Sequence, residues 1–590
     1  MCGFIFIFEN DKFKSDARAQ IQKINQKSNI FLRGPDENSY LEINEPIGKI
    51  TLAHYRLHIQ GLIEKGKQPC VDKSKKWHIL FNGEIYNTPY LCKKLGIKYD
   101  LDVCDTDIVL DIVAKYGIEA AIYQIKGMYS FLIYDSELKK IHLFRDTYGQ
   151  KPLYYGFSRE KLVISSDSDV VRGFLNIKRD NITFESVKNY VSFGYNPILD
   201  ESINNNIKIV PGGSLIEIDL NSRDKFNIEE YNNFVPNLKQ PSYDFSSDSL
   251  SDLLSETLKT SFKCVYEENV PSAILLSGGI DSGLLTYFLS KSFPNNKINT
   301  LSACFPENSS INECDKLIDL PKMGNVFQHN IPIKKEEFLK ELDRFYMNVD
   351  EPISDTAAIP LRILSKYAYG KFKVLYSGDG ADEIFGGYKR YSNFFLKNLS
   401  FVKSSKNINK NYLSYLSLLK LSRLEIEMII EKNKFFNDKV ERDLIPMNID
   451  AKQYLQKNIF IKSDRSSMMS SIEIRSPYLY EDIIYLASLF NPPRKLYDLY
   501  SGKKPIRSLA SNFLGTDYIL GKKKGFGIPF NEWIAPLIHS QYIPDLKNFS
   551  NKNKDHPLSK LISLEGEKYK KNLIFWWRLH TLFVWMKNVK

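Results

Sequence analysis

A short segment with the sequence S-G-G-I-D-S at 277–282 has the composition of a phosphate-binding turn. The apolar residues Ala273–Leu276 before it predict a buried strand, and an apolar helix is predicted to begin near Leu284. The two glycines let backbone N–H groups close on an anion, and the helix N-terminus and the serine hydroxyls add further attraction. The segment therefore predicts a phosphate site in which Asp281 is available to hold Mg²⁺.

The chain contains no G-x-x-x-x-G-K-S/T motif, so this turn lacks the lysine that usually contacts the β- and γ-phosphates. That difference favours binding of a pyrophosphate over transfer of a γ-phosphoryl group. The plainer alternative is an ordinary strand–turn–helix with small residues, and the added Asp281 and Ser282 weigh against it. The segment resembles the PP-loop of ATP pyrophosphatases, which implies an acyl-adenylate and released pyrophosphate.

A second turn rich in glycine and carboxylates, S-G-D-G-A-D-E-I-F-G-G-Y at 377–388, follows a predicted strand at Lys373–Tyr376. Further strands are predicted at Ile298–Phe305 and Val326–Ile333. Alternation with helices favours a doubly wound parallel sheet, in which both turns lie at the carboxyl ends of strands. Asp382 would then share Mg²⁺ with the aspartate of the first turn, although an acidic glycine turn is more often a capped helix start.

Cys2 stands immediately before the strand-like apolar residues Gly3–Phe8. Removal of Met1 ahead of a small residue would leave Cys2 with both a thiol and a free α-amine. An α-amine with a pKa of about 8 can act as the base for its own side chain, which gives an activated nucleophile without a histidine. An isolated cysteine is more often a small buried residue, so this hypothesis depends on the neighbouring segments.

Five segments after Cys2 strengthen the nucleophile hypothesis. They are L-R-G-P-D at 32–36, A-H-Y-R-L at 53–57, N-G-E-I-Y-N at 82–87, D-T-D at 105–107 and R-D-T-Y-G-Q-K-P-L-Y-Y at 145–155. In this order they resemble the class II (N-terminal nucleophile) glutamine amidotransferase domain. That family commonly has histidine where Leu32 stands. This departure concerns the detailed properties of the loop more than the activity.

The resemblance implies that the N-terminal thiol attacks a glutamine carboxamide, with Asn82 and the N–H of Gly83 as the oxyanion hole. A side-chain amide and a glycine N–H suit this role, because both can approach a developing negative charge closely. By the same resemblance Arg56 pairs with the α-carboxylate of glutamine, while Glu84 and Asp105 receive its α-ammonium. Taken singly, each of these residues is more often a surface charge or a turn residue.

Four further segments, together with the two glycine turns, resemble the synthetase domain of glutamine-hydrolysing asparagine synthetase. They are D-E-P at 350–352, D-R at 464–465, E-I-R-S-P-Y-L at 473–479 and K-K-P-I-R at 503–507. The resemblance covers nearly all of residues 2–535 and is weak over 391–452. Tyr480 departs from it, because the family often has aspartate there.

This second resemblance implies a catalytic lysine at Lys503, with Lys504 as its rival, that stabilises charge on the phosphates and on the species formed by ammonia. A solvated charge at a helix start is the commoner use of such a lysine. The implied ATP contacts are Leu276, Ser277, Gly278, Gly279, Asp281, Ser282, Cys304, Ser377 and Gly378, and the implied metal ligands are Asp281 and Asp382. The segment K-K-K-G-F-G-I-P at 522–529 also resembles this family, so it is not interpreted as a nucleic-acid patch.

The composition of the chain is that of a globular protein, with 43% hydrophobic and 26% charged residues. Its net charge of +11 is spread as isolated lysines, which favours a solvated surface over a nucleic-acid footprint. The seven cysteines form no C-x-x-C, which supports neither a disulfide framework nor a Cys₄ zinc site. Because there is no 18-residue apolar span and no basic segment at the N-terminus, we expect a cytoplasmic protein.

These observations predict an α/β protein in two parts. A four-layer αββα glutaminase domain of the N-terminal nucleophile hydrolase type is expected at 1–217, a linker at 218–249 and a doubly wound PP-loop domain at 250–590. Alternation of apolar and polar residues over 177–231 predicts strands, with a hairpin turn at 211–213.

The predicted reaction uses ATP and Mg²⁺ to adenylate a carboxylate, by default that of L-aspartate, and glutamine-derived ammonia to form the amide. The nearest alternative amidates another carboxylate, such as a sugar uronate in surface-polysaccharide synthesis. An RNA-directed PP-loop enzyme is disfavoured because C-x-x-C and an RNA-binding module are missing, and a storage role would leave the Cys2 segments unexplained. The expected partners are small molecules, with no nucleic acid and no membrane, and a homodimer is an expectation from the family.

Overall fold

The structure is a computed structural model that describes residues 2–10, 16–25, 28–60, 65–100, 102–221, 227–232, 247–306, 312, 314, 323–398, 405–433, 444–489, 502–515, 518 and 527–587. Most of the lysine-rich segment at 522–529 lies outside these residues.

Three sheets are formed by the described strands. The strands are β1 (Gly3–Asn10), β2 (Glu37–Glu45), β3 (Gly48–Arg56), β4 (Cys70–Val71), β5 (Trp77–Ile85), β6 (Gly127–Asp135), β7 (Lys140–Arg145), β8 (Tyr154–Phe157), β9 (Lys161–Ser165), β10 (Lys208–Ile209), β11 (Ser214–Asp219), β12 (Asn227–Asn232), β13 (Ser272–Leu275), β14 (Ile298–Cys304), β15 (Val326–Pro332), β16 (Val374–Tyr376) and β17 (Glu473–Arg475).

Helices cover the sheets and build most of the C-terminal part. They are α1 (Ala17–Asn25), α2 (Ile30–Arg33), α3 (Thr88–Leu95), α4 (Asp105–Tyr116), α5 (Ile118–Ile122), α6 (Ser168–Leu175), α7 (Phe184–Phe193), α8 (Ser247–Val265), α9 (Ile280–Ser292), α10 (Lys335–Asn348), α11 (Ala358–Ala368), α12 (Ala381–Phe385), α13 (Lys389–Asn398), α14 (Ser405–Leu416), α15 (Arg423–Lys432), α16 (Ile445–Ile449), a π-helix (Asp450–Ile459), α17 (Phe460–Met468), a 3₁₀ turn (Pro477–Leu479), α18 (Glu481–Leu489), α19 (Lys504–Leu514), α20 (Phe530–Trp533), α21 (Ala535–Leu537), a second π-helix (Ile538–Tyr542), α22 (Ile543–Lys552), α23 (Pro557–Glu565) and α24 (Leu573–Met586).

The N-terminal part is a sandwich of two six-stranded antiparallel sheets, in the orders β10-β8-β9-β1-β3-β2 and β12-β11-β7-β6-β5-β4. Strand β1 shows why four layers form. Phe4 and Phe6 pack between the sheets, whereas Ile5 and Ile7 pack on the outer face with residues of α1 and α6. Successive side chains of a strand point to opposite faces, so an all-apolar strand is buried on both. The αββα prediction is confirmed.

The C-terminal part contains a five-stranded parallel sheet in the order β15-β14-β13-β16-β17. Its first strand, β13, lies at the centre, and the chain adds β14 and β15 on one side and β16 and β17 on the other. Ligands of such doubly wound sheets bind beyond the carboxyl ends of the strands where the order reverses, here between β13 and β16. Each of these two strands leads into one of the two glycine turns, so the predicted sheet and the position of both turns are confirmed.

Two predictions for residues 177–231 are wrong. Residues Phe184–Phe193 form α7 rather than a strand, because Thr183 caps the helix by accepting a hydrogen bond from the Ser186 N–H and Gly194 ends it in the left-handed conformation. The turn at 211–213 joins β10 of one sheet to β11 of the other, so it crosses between the layers and is not a hairpin.

The structure adds a strand pair near the predicted linker. Strand β11 pairs antiparallel with β12, so the N-terminal sheet continues into the range 218–249. The domain boundaries at 217 and 249 stay a prediction.

The two parts of the chain share buried contacts. One hydrophobic cluster packs Tyr190 of α7 with Trp577 of α24. Arg33 of α2 donates two hydrogen bonds to Asp464 of α17, at 2.7 and 2.9 Å. Both side chains are nearly inaccessible to solvent, and a buried charge is tolerated only with a well-placed partner. These contacts fix the two parts relative to each other.

Across the part of the chain that the structure covers, no helix combines the length and the apolar character needed to cross a membrane.

Candidate functional site

Strand pairing places Cys2 beside two of the predicted glutamine-site residues. Gly3 of β1 pairs with Tyr55 of β3, so the next residues, Cys2 and Arg56, lie at the same end of the sheet. The backbone nitrogen of Cys2 donates a 3.0 Å hydrogen bond to Oδ1 of Asn82 on β5. Cys2, Arg56 and Asn82 are therefore brought together from three strands and both sheets.

Asn82 and Gly83, the residues predicted to form the oxyanion hole, are both tightly enclosed. Asn82 is fully buried, and its Nδ2 has no hydrogen-bond partner among the described residues. Gly83 has φ +153°, and a Cβ at this position would lie 2.1 Å from the carbonyl oxygen of Met128. Only glycine fits there. An unused buried donor is costly unless a ligand satisfies it, so Asn82 Nδ2 is suited to a developing oxyanion.

The thiol of Cys2 lies among groups with opposite effects. Burial raises its pKa above the ordinary value, while the N-terminal ammonium, the Leu57 N–H and Arg56 act to lower it. The net effect is a raised pKa, which favours the thiol over the thiolate. Attack on a carboxamide therefore needs a base, and the nitrogen of Cys2 becomes a free amine for this purpose once Met1 is removed.

Two buried carboxylates, Glu84 and Asp105, lie close to each other at the end of β5. Asp105, the first residue of α4, accepts hydrogen bonds from the N–H groups of Ile85 at 3.1 Å and Thr106 at 2.8 Å, and burial raises its pKa to about 6. Oε1 of Glu84 lies 3.2 Å from Nη2 of Arg475. All of the predicted glutamine-site residues are thus buried at one end of the sandwich, with Arg475 added from the C-terminal part.

The two glycine turns meet at a cavity of about 170 Å³. A Cβ on Gly378 of the second turn would lie 3.1 Å from the Cβ of Asp281 in the first. Six of the predicted ATP contacts line this cavity, together with Asp382: Leu276, Ser277, Gly279, Asp281, Ser282 and Gly378. Gly278, Cys304 and Ser377 are not among its described lining residues. Their contact with ATP stays a prediction.

The first turn folds as a compact loop before α9. Gly278 has φ +68°, a conformation that glycine adopts without strain. The Ser277 N–H donates a 3.3 Å hydrogen bond to Oγ of Ser282, which closes the loop. Helix α9 begins at Ile280, earlier than the predicted start near Leu284. The earlier start places the helix N-terminus at the cavity, where its positive end favours phosphate.

Lys503 connects the two predicted metal ligands. Its Nζ lies 2.6 Å from Oδ2 of Asp281 and 2.9 Å from Oδ1 of Asp382, and its side chain is almost completely buried. Lys504, the first residue of α19, is exposed. The geometry therefore supports Lys503 over Lys504 as the lysine of this site.

The two aspartates fit a magnesium ion bound together with phosphate. Oδ1 of Asp281 is buried without a hydrogen-bond partner in the described part of the chain. No group of three or more His, Cys, Asp or Glu side chains suited to a metal occurs within that part. Mg²⁺ usually takes only one or two carboxylates and completes its shell with substrate phosphates and water. Asp281 and Asp382 provide such a pair.

Cys304 differs from its sequence-based interpretation. It forms a disulfide with Cys314, with the two Cα atoms 5.6 Å apart, although the cysteine pattern supported no disulfide framework. Cys304 is the last residue of β14, and Cys314 lies beside it. The other described cysteines, Cys2, Cys70, Cys92, Cys104 and Cys264, are unpaired thiols.

Sequence reasoning missed three polar residues of the cavity. Asp379 lies inside the second glycine turn and accepts hydrogen bonds from Ser377 Oγ at 3.1 Å and Ser463 Oγ at 3.0 Å. Lys462 and Ser463 belong to α17, immediately before the D-R motif at 464–465. These three residues lie within or next to motifs identified in the sequence, so the sequence could have indicated them as residues of the site. The aliphatic lining, Leu275, Leu301, Leu361 and Leu364, had no distinguishing sequence pattern.

The fold and the two sites define a glutamine amidotransferase in which an N-terminal nucleophile domain is joined to a PP-loop α/β domain. Residues 1–232 match the model of the glutamine amidotransferase domain, and residues 253–560, more than half of the chain, match that of asparagine synthase. The chain belongs to the asparagine synthase family, and the enzyme class predicted from the sequence, a carbon–nitrogen ligase with glutamine as amido donor, is confirmed.

Curated relatives match over most of their length. Glutamine-hydrolysing asparagine synthetase 1 of Bacillus subtilis (strain 168) is 26% identical over 583 residues, which covers 90% of this chain and 88% of the relative. A protein of Methanocaldococcus jannaschii named as a second asparagine synthetase of that kind is 28% identical over 484 residues, covering 78% of this chain and 90% of the relative. The asparagine synthetase of Cricetulus griseus is 25% identical over 407 residues, covering 66% of this chain and 67% of the relative.

Proposed function

We propose that this enzyme converts L-aspartate to L-asparagine with glutamine as the nitrogen donor, releasing glutamate, AMP and pyrophosphate. The observation that carries the proposal is a pair of buried polar sites in one chain, each with a buried polar atom that the described residues leave without a hydrogen-bond partner. Asn82 Nδ2 is unused beside Cys2, and Asp281 Oδ1 is unused at the phosphate turn.

The glutaminase half-reaction starts at Cys2. The α-amine takes the thiol proton, the sulfur attacks the carboxamide carbon, and Asn82 with the Gly83 N–H stabilises the oxyanion. The α-ammonium then gives this proton to the carboxamide nitrogen, so that collapse of the tetrahedral species releases ammonia and leaves a thioester, which water hydrolyses to glutamate. Arg56 binds the α-carboxylate of glutamine, and Glu84 and Asp105 bind its α-ammonium.

The synthetase half-reaction takes place at the cavity between the two turns. The acceptor carboxylate attacks the α-phosphorus of ATP, pyrophosphate leaves, and ammonia then displaces AMP from the acyl-adenylate. Mg²⁺ held by Asp281 and Asp382 would neutralise phosphate charge when bound. Lys503 supplies a fixed positive charge at the same point, and the N-terminus of α9 with the Ser277–Ser282 turn holds the phosphates.

The test supplies glutamine labelled with ¹⁵N in its amide, together with ATP, Mg²⁺ and L-aspartate. We expect ¹⁵N-asparagine, AMP and pyrophosphate in equal amounts, and no acceptor-dependent pyrophosphate when aspartate is omitted. Formation of ADP and inorganic phosphate would contradict the adenylate. Turnover of another carboxylate, such as a uronate, with none on aspartate would contradict the acceptor while leaving both half-reactions in place.

A further inference from the structure

Arg475 of β17 is a buried arginine with partners in both parts of the chain. Only 1% of its surface is exposed. Its Nε donates to Oε1 of Glu473 at 2.7 Å, its Nη1 donates to the carbonyl oxygen of Val265 at 3.0 Å, and its Nη2 lies 3.2 Å from Oε1 of Glu84. Because a guanidinium is costly to bury, a position with three such contacts indicates a specific role for the charge.

The main chain of the same residue supports the ATP cavity. Arg475 pairs with Tyr376 in the parallel sheet, and its carbonyl oxygen accepts a 2.9 Å hydrogen bond from the Ser377 N–H, where the second glycine turn begins. Arg475 therefore touches the synthetase turn through its backbone and the glutamine site through its side chain.

Only one of the two carboxylate oxygens of Glu84 lies beside a charged partner in the protein. Its Oε1 forms an ion pair with Arg475 that is not a hydrogen bond, because Nη2 of Arg475, like Oε2 of Glu84, is buried with no hydrogen-bond partner among the described residues. A buried carboxylate oxygen in this state is ready to accept from a ligand's N–H⁺ group.

We infer that Arg475 completes the glutamine site from the synthetase part, by fixing Oε1 of Glu84 and leaving Oε2 to accept from the α-ammonium of the substrate. The inference rests on the proposed function, in which Glu84 binds glutamine. Arg475 acts through Glu84 and is a positioning residue. The consequence is that the N-terminal part does not hold a complete glutamine site of its own.

The electrostatics of Glu84 give the inference a pH signature. Burial raises the pKa of Glu84 well above its usual value, the Arg475 guanidinium opposes this rise, and the N-terminal ammonium opposes it less strongly. Glu473 and Asp105 act in the same direction as burial. Replacing Arg475 with a neutral residue removes the largest effect that opposes this rise, so the pKa of Glu84 rises further and its ionised form needs a higher pH. Raising the pH restores the ionised form.

The experiment measures ligand binding in the full chain carrying Cys2→Ala, so that glutamine is not consumed. L-glutamine is compared by calorimetry with 4-carbamoylbutanoate, which lacks the α-amine, between pH 6.5 and 8.5. The parent should prefer glutamine. Arg475→Met should reduce the preference for glutamine by about tenfold at pH 7, which corresponds to the loss of one charge-assisted contact. Part of this preference should return as the pH is raised. Arg475→Lys should retain more of the preference than Arg475→Met.

A matched control separates this effect from loss of a buried charge. Arg362→Met removes another buried arginine, which lies 3.7 Å from Glu341 of α10, and should leave the preference and its pH dependence unchanged. If Arg475→Met does not fold, Arg475→Gln, which removes the charge but keeps a polar side chain, is measured in its place. An unchanged preference in either folded variant overturns the inference. A parent that binds no glutamine contradicts the proposed function instead.

Discussion

The buried carboxylates of the glutamine site and those of the ATP cavity are paired with cations from different parts of the chain. At the ATP cavity, Lys503 of the C-terminal part bridges Asp281 and Asp382 of the same part. At the glutamine site, Glu84 of the N-terminal part is paired with Arg475 of the C-terminal part. The charges of the ATP cavity are therefore balanced locally, whereas those of the glutamine site depend on both parts of the chain. Substitution of Cys2 should therefore leave synthesis from added ammonium unchanged. Substitutions on β17 should reduce the glutaminase reaction.

The largest expected effect is at Lys503. Lys503→Met leaves Asp281 and Asp382 without their shared cation and removes a positive charge from the phosphates. We expect synthesis from glutamine and from ammonium to fall together by roughly 10³–10⁵, the worth of a positioned cation in phosphoryl transfer. Glutaminase activity should be retained. Pyrophosphate release and glutamate formation are measured in parallel. If glutamate formation fell as much as pyrophosphate release, the charges of the two sites would not be balanced independently of each other.

A smaller effect is expected at Asn82. Asn82→Ala removes the unused Nδ2 donor and the acceptor of the Cys2 nitrogen. The loss of one oxyanion donor predicts a fall of about 10²–10³ in the glutaminase kcat, with synthesis from ammonium unchanged. Steady-state kinetics with each nitrogen source tests this. A variant whose kcat for glutamine equals that of the parent would remove Asn82 from the oxyanion hole.

The smallest effect is expected at Lys504, the exposed neighbour of Lys503. Lys504→Met removes the same charge at nearly the same place in the sequence, but from the surface. Stability should change by no more than about 0.5 kcal/mol, and both activities should stay within a factor of about two. Thermal unfolding and the two kinetic assays make it the control for Lys503→Met. Loss of synthesis in this variant and not in Lys503→Met would reverse the assignment of the lysine.

Local sequence patterns predicted those features that depend on neighbouring residues. The four consecutive apolar residues Ala273–Leu276 predicted the strand before Ser277, and the structure has β13 there, at Ser272–Leu275. Asp281 and Asp382 were paired from the sequence because turns after parallel strands gather at one edge of the sheet. The helix at 184–193 was missed because the apolar spacing of Val187, Tyr190 and Val191 was obscured by alternation in the flanking residues.

The features that the sequence could not predict depend on packing between residues that are far apart in the chain. The choice between Lys503 and Lys504 depends on which side chain points inward at the start of α19. The contact of Arg475 with Glu84 joins residues far apart in the chain, and no spacing rule links them. The Cys304–Cys314 pair depends on the position of Cys314 beside the end of β14, which the cysteine count does not reveal.

The central claim is that one chain carries two separable half-sites, and Cys2→Ala tests it most directly. The substitution removes one sulfur from a small side chain, so the fold should be retained. Asparagine formation is measured with glutamine and then with ammonium at pH 8, where about a tenth of the ammonium is NH₃ if its pKa is about 9. The account predicts no synthesis from glutamine and parental synthesis from ammonium. A folded variant that still uses glutamine, or that is inactive with both nitrogen sources, would contradict it.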